Sequence, residues 1–283
     1  MIDCVLLLNC EDQSGVVHEV SRFIHESGCN IISSQQHLEE LDKRFFMRVR
    51  FDITNLNCTR QDLTKNFDVI AQSLNMAYEL NFSDYKKKVA IMVSKYDHCL
   101  YDLLLRHQYG EWNAEVALIV SNHKDLESVA VHFNIPYFYM PIDPDNKEAR
   151  EEEIVKLMNQ HQVNLVVMAR YMQILTPVML DAFPNRIINI HHGFLPAFKG
   201  AKPYHQAYEK GVKLIGATSH YANEELDMGP IIEQETIRVN HSYSVKELLR
   251  MGRDIERQVL SNAVRSHLED KICIYKNRTI VFD

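Results

Sequence analysis

The chain has 283 residues, roughly twice the commonest domain size, which predicts one large domain or two modest ones. Its formal net charge is −7, with lysines and arginines scattered among acidic residues, so we expect no basic face and no nucleic-acid partner. No apolar run approaches the roughly 20 residues that cross a bilayer, and the N-terminus lacks a signal-peptide pattern, so we expect a cytoplasmic protein with no membrane partner. Six dispersed cysteines without a C-x-x-C pair predict reduced thiols and no bound metal.

The first 82 residues predict a small domain of alternating strands and helices. The expected order is strand, helix, strand, strand, helix, strand, which is a ferredoxin-like βαββαβ unit. These elements are expected at residues 4–9, 16–24, 30–37, 44–51, 60–76 and 77–81. A short polar segment at residues 83–88 then predicts a linker to a second domain at residues 89–283.

Beyond residue 88, continuous apolar runs alternate with helical patterns. The runs lie at residues 89–93, 117–120, 136–140, 165–169 and 187–190. Such runs predict a mostly parallel, doubly wound α/β sheet that is buried on both faces. Ligands of these sheets bind at the carboxyl ends of the strands, so Asn122, Arg170 and His191 should face one crevice.

Asn189, His191 and Asp227 form the candidate catalytic set. On a strand, side chains two residues apart share a face, so Asn189 and His191 should point to one side, with His192 on the other side in a packing role. Asp227 follows in a later polar loop. An amide, an imidazole and a carboxylate together suit polarising a carbonyl, stabilising an oxyanion and moving a proton. An Asn-x-His pair alone is more often structural, and its combination with Asp227 favours catalysis.

Several spaced motifs in the second domain resemble the folate-dependent formyl transferase family. They are, in chain order, residues 169–175 (ARYMQIL), Asn189-Ile190-His191, Leu195-Pro196, His220 and residues 226–232 (LDMGPII). Residues 1–82 resemble an ACT domain, an amino-acid-sensing module, through residues 12–15, 30–31 and 44–48. An ACT domain followed by a formyl transferase domain is the layout of the formyltetrahydrofolate deformylase family, which the chain resembles over nearly its whole length.

This resemblance implies hydrolysis of 10-formyltetrahydrofolate to tetrahydrofolate and formate, which supplies formate for purine synthesis and balances the one-carbon folate pools. It assigns catalysis to Asn189, His191 and Asp227. His220, seven residues before Asp227, is expected to restrain the loop that carries Asp227. The residues that it implies for folate binding are Arg170, Met172, Gln173, Ile174, Leu175, Ala222, Asn223 and Leu226. No cofactor is expected, because the folate is the substrate.

Three details of this site stay open. Ordinary core packing is as well supported as folate contact for Met172, Ile174 and Leu175. The anionic glutamate tail of the folate is expected to meet Arg170, Lys199 or Lys202. Gly193 stands where the family usually has serine, and activity is still expected because the three principal residues remain.

The turn after the first strand of the second domain separates hydrolysis from formyl transfer. Glycinamide ribonucleotide transformylases of the same family carry a glycine- and serine-rich turn there, whose N–H groups hold the substrate phosphate. Here residues 94–100 (SKYDHCL) contain no glycine and include Asp97, which favours water as the formyl acceptor. Formyl transfer to an amine acceptor and a non-catalytic ACT amino-acid sensor are the alternatives.

In the ACT-like domain, Asp12, Gly15 and Asn30 are candidates for binding an amino-acid effector such as glycine or methionine. Their alternative role is to shape a turn and the start of a strand. ACT modules commonly pair by joining their sheets side by side, so we expect a homo-oligomer, either a dimer or a tetramer.

Overall fold

The structure is a computed structural model that describes residues 2–143, 145–197, 200 and 202–283. The chain divides into two compact units. The first comprises residues 1–86 together with 269–283, and the second comprises residues 87–268. None of the described helices is long and apolar enough to span a membrane.

The first unit is built on a four-stranded antiparallel sheet with two helices. Its elements are β1 (Asp3–Glu11), α1 (Val16–Glu26), β2 (Asn30–Glu39), β3 (Arg44–Asp52), α2 (Arg60–Ser73) and β4 (Ala77–Phe82). The strand order β2-β3-β1-β4, with antiparallel neighbours, is the ferredoxin-like βαββαβ arrangement that the sequence predicts. Apolar side chains at helical spacing bring both helices onto one face of the sheet, where the rings of Phe23 and Phe67 lie 5.0 Å apart.

The second unit contains a seven-stranded, mostly parallel sheet. Its elements are β5 (Lys87–Val93), α3 (His98–Gln108), β6 (Ala114–Ser121), α4 (Glu127–His132), β7 (Tyr137–Tyr139), α5 (Lys147–Gln160), β8 (Leu165–Met168), α6 (Pro177–Ala182), β9 (Ile187–His191), α7 (Pro203–Glu209), β10 (Leu214–Tyr221), β11 (Ile231–Arg238) and α8 (Val245–Leu268). The strand order is β11-β10-β9-β8-β5-β6-β7. The strands from β5 to β9 run parallel, as their apolar runs predict. β10 and β11 were not expected from the sequence, and they extend the sheet in antiparallel pairing.

The direction in which the chain adds strands reverses beside β5. β6 and β7 lie on one side of β5, whereas β8 and β9 lie on the other. In open α/β sheets, ligands bind at the carboxyl ends of the strands beside such a reversal. Met168 of β8 lies opposite Asn189 of β9, so the loop that follows β8 and the end of β9 meet at this edge.

The C-terminal residues form a hairpin within the first unit, β12 (Ile272–Tyr275) and β13 (Arg278–Val281). Cys273 and Phe282 pack with Val5, Leu7 and Phe46 on the sheet face opposite the helices. Residues 269–283 were expected in the second domain, but they belong to the first unit. The reason is that β1 carries apolar residues on both faces, and the face away from the helices needs its own cover.

Phe46→Ala is expected to lower the free energy of unfolding of the first unit by about 3–5 kcal/mol, the usual cost of truncating a buried aromatic side chain. Phe46 is fully buried, and its ring lies 5.4 Å from that of Tyr275 in an edge-on arrangement. Urea unfolding of the full-length chain measures the loss. The matched control is Val69→Ala on α2, at a site that is 68% exposed, and it should change stability by no more than about 0.5 kcal/mol. Equal losses in the two variants would contradict this packing.

Candidate active site

A cavity of about 480 Å³ opens in the second unit at the carboxyl ends of β8 and β9. Its walls include the loop after β8, the end of β9 and the loop after β10. Twelve residues predicted from the sequence line it: the three catalytic candidates, His220 as the residue that restrains the Asp227 loop, and the eight candidates for folate binding. They are Arg170, Met172, Gln173, Ile174, Leu175, Asn189, His191, His220, Ala222, Asn223, Leu226 and Asp227.

β9 places Asn189 and His191 in the wall of this cavity. Ile188 and Ile190 at the alternate positions are buried, and Ile190 also borders the cavity. In the antiparallel register of β9 with β10, His220 lies directly opposite Asn189. This register explains why a residue far along the chain reaches the Asn189 side chain.

His220 fixes the orientation of the Asn189 amide. Its Nδ1 lies 2.9 Å from the main-chain carbonyl oxygen of Tyr221, which can only accept, so Nδ1 carries the proton. Burial lowers the pKa of His220, which keeps the ring neutral and makes Nε2 an acceptor. Asn189 Nδ2 donates to this atom across 3.2 Å. The second N–H of the amide is thereby left for a group bound in the cavity.

Asp227 reaches the cavity from the loop after β10, in a left-handed backbone conformation with φ of 58°. Its Oδ2 lies 3.2 Å from His191 Nδ1, and its Oδ1 lies 3.8 Å from His220 Nε2. Burial raises the pKa of this carboxyl, but the hydrogen bond from His191 and its charge outweigh burial and bring the pKa below its usual value. Asp227 is therefore ionised at neutral pH and accepts from Nδ1 of His191.

Gly229 lets the loop that carries Asp227 approach β10 closely. A β-carbon at this position would lie 1.7 Å from the carbonyl oxygen of Tyr221, so a larger residue would displace the loop. Tyr221 N donates to the carbonyl of Pro230 at 2.9 Å, and Ala222 N donates to that of Ile187 at 2.8 Å. Main-chain packing therefore determines where Asp227 stands.

Apolar side chains from two loops are exposed at the cavity. Met172 and Ile174 are 52% and 56% exposed, and Leu226 is 53% exposed. Leu175 is half-buried and packs against the core of the second unit. Of the two roles left open by the sequence, core packing therefore applies to Leu175 but not to Met172 or Ile174.

Buried polar residues hold the loop after β8 at both ends. Ser94 Oγ accepts from Met172 N at 3.0 Å and donates to Asn122 Oδ1 at 2.7 Å. At the other end, Glu151 accepts from Thr176 N at 3.0 Å. The exposed apolar residues thus stand on a fixed main chain.

A buried polar cluster, made of His98, Arg170, Tyr204 and Glu256, was not predicted from the sequence. Glu256 of α8 is 1% exposed; its Oε2 lies 2.8 Å from His98 Nε2, and its Oε1 accepts from Tyr204 Oη at 2.9 Å. Arg170 Nε lies 3.5 Å from Oε2. Burial raises the pKa of Glu256, but the hydrogen bond from His98 and the charge of Arg170 bring it below its usual value. The signal available in the sequence was an acidic residue on the apolar face of an amphipathic helix.

His192 lies in the cavity beside His191, contrary to the expected orientation. The two ring centroids are 5.5 Å apart. The reason is that β9 ends at His191, so the alternation of a strand does not extend to residue 192. Gly193 is buried, and its carbonyl oxygen accepts from Thr218 Oγ1 at 2.9 Å.

Arg170 is also placed differently from the sequence-based expectation. It is 8% exposed beside Glu256, whereas a side chain that meets the glutamate tail of a folate needs a solvent-facing position. Lys202 is exposed and lines the cavity. Lys199 lies outside the described residues.

His98, Cys99 and Glu256 carry possible metal-ligand atoms within 4.8 Å of one another. The Glu256 oxygens are already engaged by His98 and by a tyrosine hydroxyl, and the guanidinium of Arg170 lies beside them. Burial raises the pKa of the Cys99 thiol well above its usual value, which disfavours the thiolate that binds metals. This set does not suit a cation, and a metal-free site stays a prediction.

Acid is expected to destabilise the second unit from about pH 6.5 downward. Burial lowers the pKa of His192 to about 3, so the unfolded chain takes up this proton before the folded protein does. A folded pKa below the unfolded value gives stability that is present above about pH 6.5 and is lost progressively as the pH falls. Between pH 7.5 and 5.5 this histidine should cost about 1.4 kcal/mol, measured by urea unfolding. His192→Gln should have a smaller pH dependence than the wild type, and identical dependences would contradict the assignment.

The three effector candidates of the first unit are all exposed. Asp12 lies between β1 and α1, where its N–H donates to the carbonyl of Lys43 at 2.8 Å. Gly15 has φ of 97° and directly precedes α1, which supports a turn-shaping role for it. Asn30 is the first residue of β2.

Comparison with known proteins finds relatives along nearly the whole chain. Residues 87–264 match the Formyl transferase family. A formyltetrahydrofolate deformylase of Synechocystis sp. is 47% identical over 99% of this chain and 99% of its own. The crystal structure of a formyltetrahydrofolate deformylase from Pseudomonas syringae is similar with a TM-score of 0.97 and 43% identity, covering 100% of this chain and 95% of that one. Glycinamide ribonucleotide transformylase 1 from Symbiobacterium toebii has a TM-score of 0.67 and 30% identity, covering 72% of this chain and 98% of that one.

Proposed function

This chain belongs to the formyl transferase family and, within it, to the formyltetrahydrofolate deformylases, and we infer that it hydrolyses 10-formyltetrahydrofolate to tetrahydrofolate and formate. The observation that carries this inference is the meeting of Asn189, His191 and Asp227 in one cavity, with His191 Nδ1 3.2 Å from Asp227 Oδ2. The formate would supply purine synthesis, and the reaction would balance the one-carbon folate pools.

In the proposed mechanism, water attacks the formyl carbon. As the new carbon–oxygen bond forms, the π electrons of the carbonyl move onto the formyl oxygen, and one water proton passes to Asp227. Asp227 is able to orient the water and accept this proton because it is ionised. Asn189 donates its second N–H to the oxyanion, and His191 donates through Nε2. The carboxylate beside Nδ1 compensates the charge of a protonated His191.

The tetrahedral intermediate then collapses. The oxyanion electrons form the carbonyl again, and the bond from carbon to N10 of the folate breaks. N10 takes the proton held by Asp227, formic acid is released, and its proton passes to solvent. Tetrahydrofolate leaves with the carboxylate restored.

The folate binds, in this proposal, against the exposed apolar side chains at the cavity. Met172, Ile174 and Leu226 present apolar surface to solvent there, and burying it under a pteridine would stabilise the complex. Gln173, Leu175, Ala222 and Asn223 line the same walls. Lys202 is the exposed cation available to the glutamate tail.

Water as the acceptor is supported by the turn at residues 94–100. It contains no glycine, and the Arg170 guanidinium lies 4.7 Å above the Tyr96 ring. Bulky side chains thus fill the turn with which transformylases of the family hold a phosphate. No cofactor enters the proposed reaction.

The test is formate release from 10-formyltetrahydrofolate with no amine present. We expect release of one formate per tetrahydrofolate formed, at a rate that an added amine such as glycinamide does not change. A protein that forms tetrahydrofolate only when an amine is added would instead be a formyl transferase. A folded protein that forms none under either condition would be the non-catalytic alternative.

We propose that the first unit is an ACT domain with a regulatory and assembly role. Its βαββαβ order and the exposed positions of Asp12, Gly15 and Asn30 support an amino-acid effector such as glycine or methionine. Isothermal titration of the full chain with each amino acid tests this role. The absence of heat and of any change in formate release with both would contradict it.

We further propose that the protein is a homo-oligomer, a dimer or tetramer, assembled through β2. β2 and β4 are the edge strands of the four-stranded sheet, and on β2 the side chains of Ile31, Ile32 and Leu38 are 36%, 41% and 44% exposed. An edge strand with apolar side chains readily pairs with another chain. Sedimentation that detects only monomers at micromolar concentration would contradict this assembly. A cytoplasmic location completes the proposal, and it is supported by six cysteines that are all free.

A further inference from the structure

Arg170 is a buried cation whose hydrogen-bonding capacity the described part of the fold leaves partly unused. Its side chain is 8% exposed, and Nε and Nη1 have no hydrogen-bond partner in the described part of the chain. The residue has a left-handed backbone with φ of 64°, and its guanidinium is held over the Tyr96 ring. Unmet donors on a buried charged group are costly unless a ligand accepts from them.

Glu256 balances the charge of Arg170 without satisfying its donors. The nearest contact, from Nε to Oε2, is 3.5 Å long and is an ion pair rather than a hydrogen bond. The carboxylate is already engaged, since Oε2 pairs with His98 and Oε1 accepts from Tyr204. The guanidinium is thus neutralised on one side and still able to donate on another.

The loop after β8 brings Arg170 into the cavity that His191 also lines. Met168 and Asn189 are opposite each other in the parallel strands β8 and β9. Arg170 lies in the loop that follows β8, and His191 is the last residue of β9. Both residues line the cavity, so an anion formed beside His191 shares that cavity with this cation.

We propose that Arg170 forms a carboxylate subsite in the cavity and that its ligand is formate. Formate is a small planar anion, and a guanidinium makes strong charge-assisted hydrogen bonds to a carboxylate. The subsite would hold the carboxylate after the bond to N10 has broken, and it would repel a protonated amine from the same position. That formate arises there as product rests on the proposed function, whereas its binding does not.

The test is a titration of the full-length protein with ¹³C-labelled formate, followed by NMR line broadening, with no folate present. The main variant is Arg170→Gln/Glu256→Gln, which neutralises both partners together and leaves no lone buried charge. We expect its apparent Kd for formate to rise about tenfold or more. Arg170→Lys keeps the charge but loses the guanidinium, so its apparent Kd for formate should lie between those of the double variant and the wild type.

The matched control is Lys202→Gln, which removes an exposed cation from the wall of the same cavity and should change the Kd less than about twofold. Equal weakening in the control and the double variant would reduce the effect to net charge and overturn the subsite. Unchanged formate binding in a folded double variant would also overturn the subsite, as would the absence of formate binding by the wild type. Formate that binds through Arg170 in a protein that releases none from formyltetrahydrofolate would refute the proposed hydrolysis and leave the subsite standing.

Discussion

Asp227→Asn should lower the rate of formate release by about 10³-fold, within the range usual for losing a general acid–base group. The amide cannot take the proton of the attacking water, and it no longer offers a carboxylate to Nδ1 of His191, 3.2 Å away. The effect should appear in kcat, because Met172 and Ile174, the proposed folate contacts, are unchanged in this variant. Single-turnover kinetics at saturating folate measure it.

The control for this substitution is Asp254→Asn on the exposed face of α8, where an ion pair with Arg257 is solvent-accessible. It should leave formate release unchanged within about twofold. Asp227→Asn should fold like the wild type, since the side chain keeps its size. A correctly folded Asp227→Asn protein that releases formate at the wild-type rate would rule out the proposed proton transfer.

Asn189→Ala should slow formate release by about 10²–10³-fold, the effect usually seen when one oxyanion donor is removed. The lost hydrogen bond is stronger to the charged oxyanion than to the neutral formyl oxygen, so the affinity for the ground-state folate should change little. The substitution also leaves Nε2 of His220 without the amide that donates to it at 3.2 Å. Rapid-quench measurement of formate separates this chemical step from product release. A rate within threefold of wild type would exclude Asn189 as the donor.

A second variant distinguishes the role of the Asn189 amide from that of the His220 ring that orients it. His220→Gln keeps a polar group opposite Asn189 but removes the ring that orients the amide. We expect a smaller loss of the formate-release rate than for Asn189→Ala, because the amide is still present and adopts the correct orientation for part of the time. An equal or larger loss would mean that His220 acts on the substrate itself.

The parallel part of the large sheet was predictable because its strands are buried on both faces and appear as continuous apolar runs. β8, for example, is Leu165–Met168, and all four of its residues are buried. β10 was not predicted because its sequence contains no continuous run of large apolar residues. Small or polar residues stand in its middle, and all three are buried: Gly216, Ala217 and Thr218. The C-terminal hairpin was assigned to the wrong unit because chain order does not reveal which sheet face lacks a cover.

The candidate site, like the fold, was predictable where a local sequence pattern determines it and not where distant elements meet. Asn189 and His191 were predictable as a pair, since a strand of known face carries both. The contact of Asn189 with His220 depends on the register between β9 and β10, which no local pattern specifies. The cluster around Glu256 joins residues from separate loops and helices, so only the assembled fold brings its members together.

The carbonyl of Tyr221 has a role that its own side chain does not share. Since this main-chain oxygen determines which nitrogen of His220 holds the hydrogen, it also determines that the Asn189 amide turns its nitrogen, and not its oxygen, to His220. The main chain thus determines, through the side chains of His220 and Asn189, where the donor of this amide lies in the cavity. A substitution that changes only the side chain at position 221 can leave this arrangement intact. A flip of the peptide plane that carries the Tyr221 oxygen would reverse it.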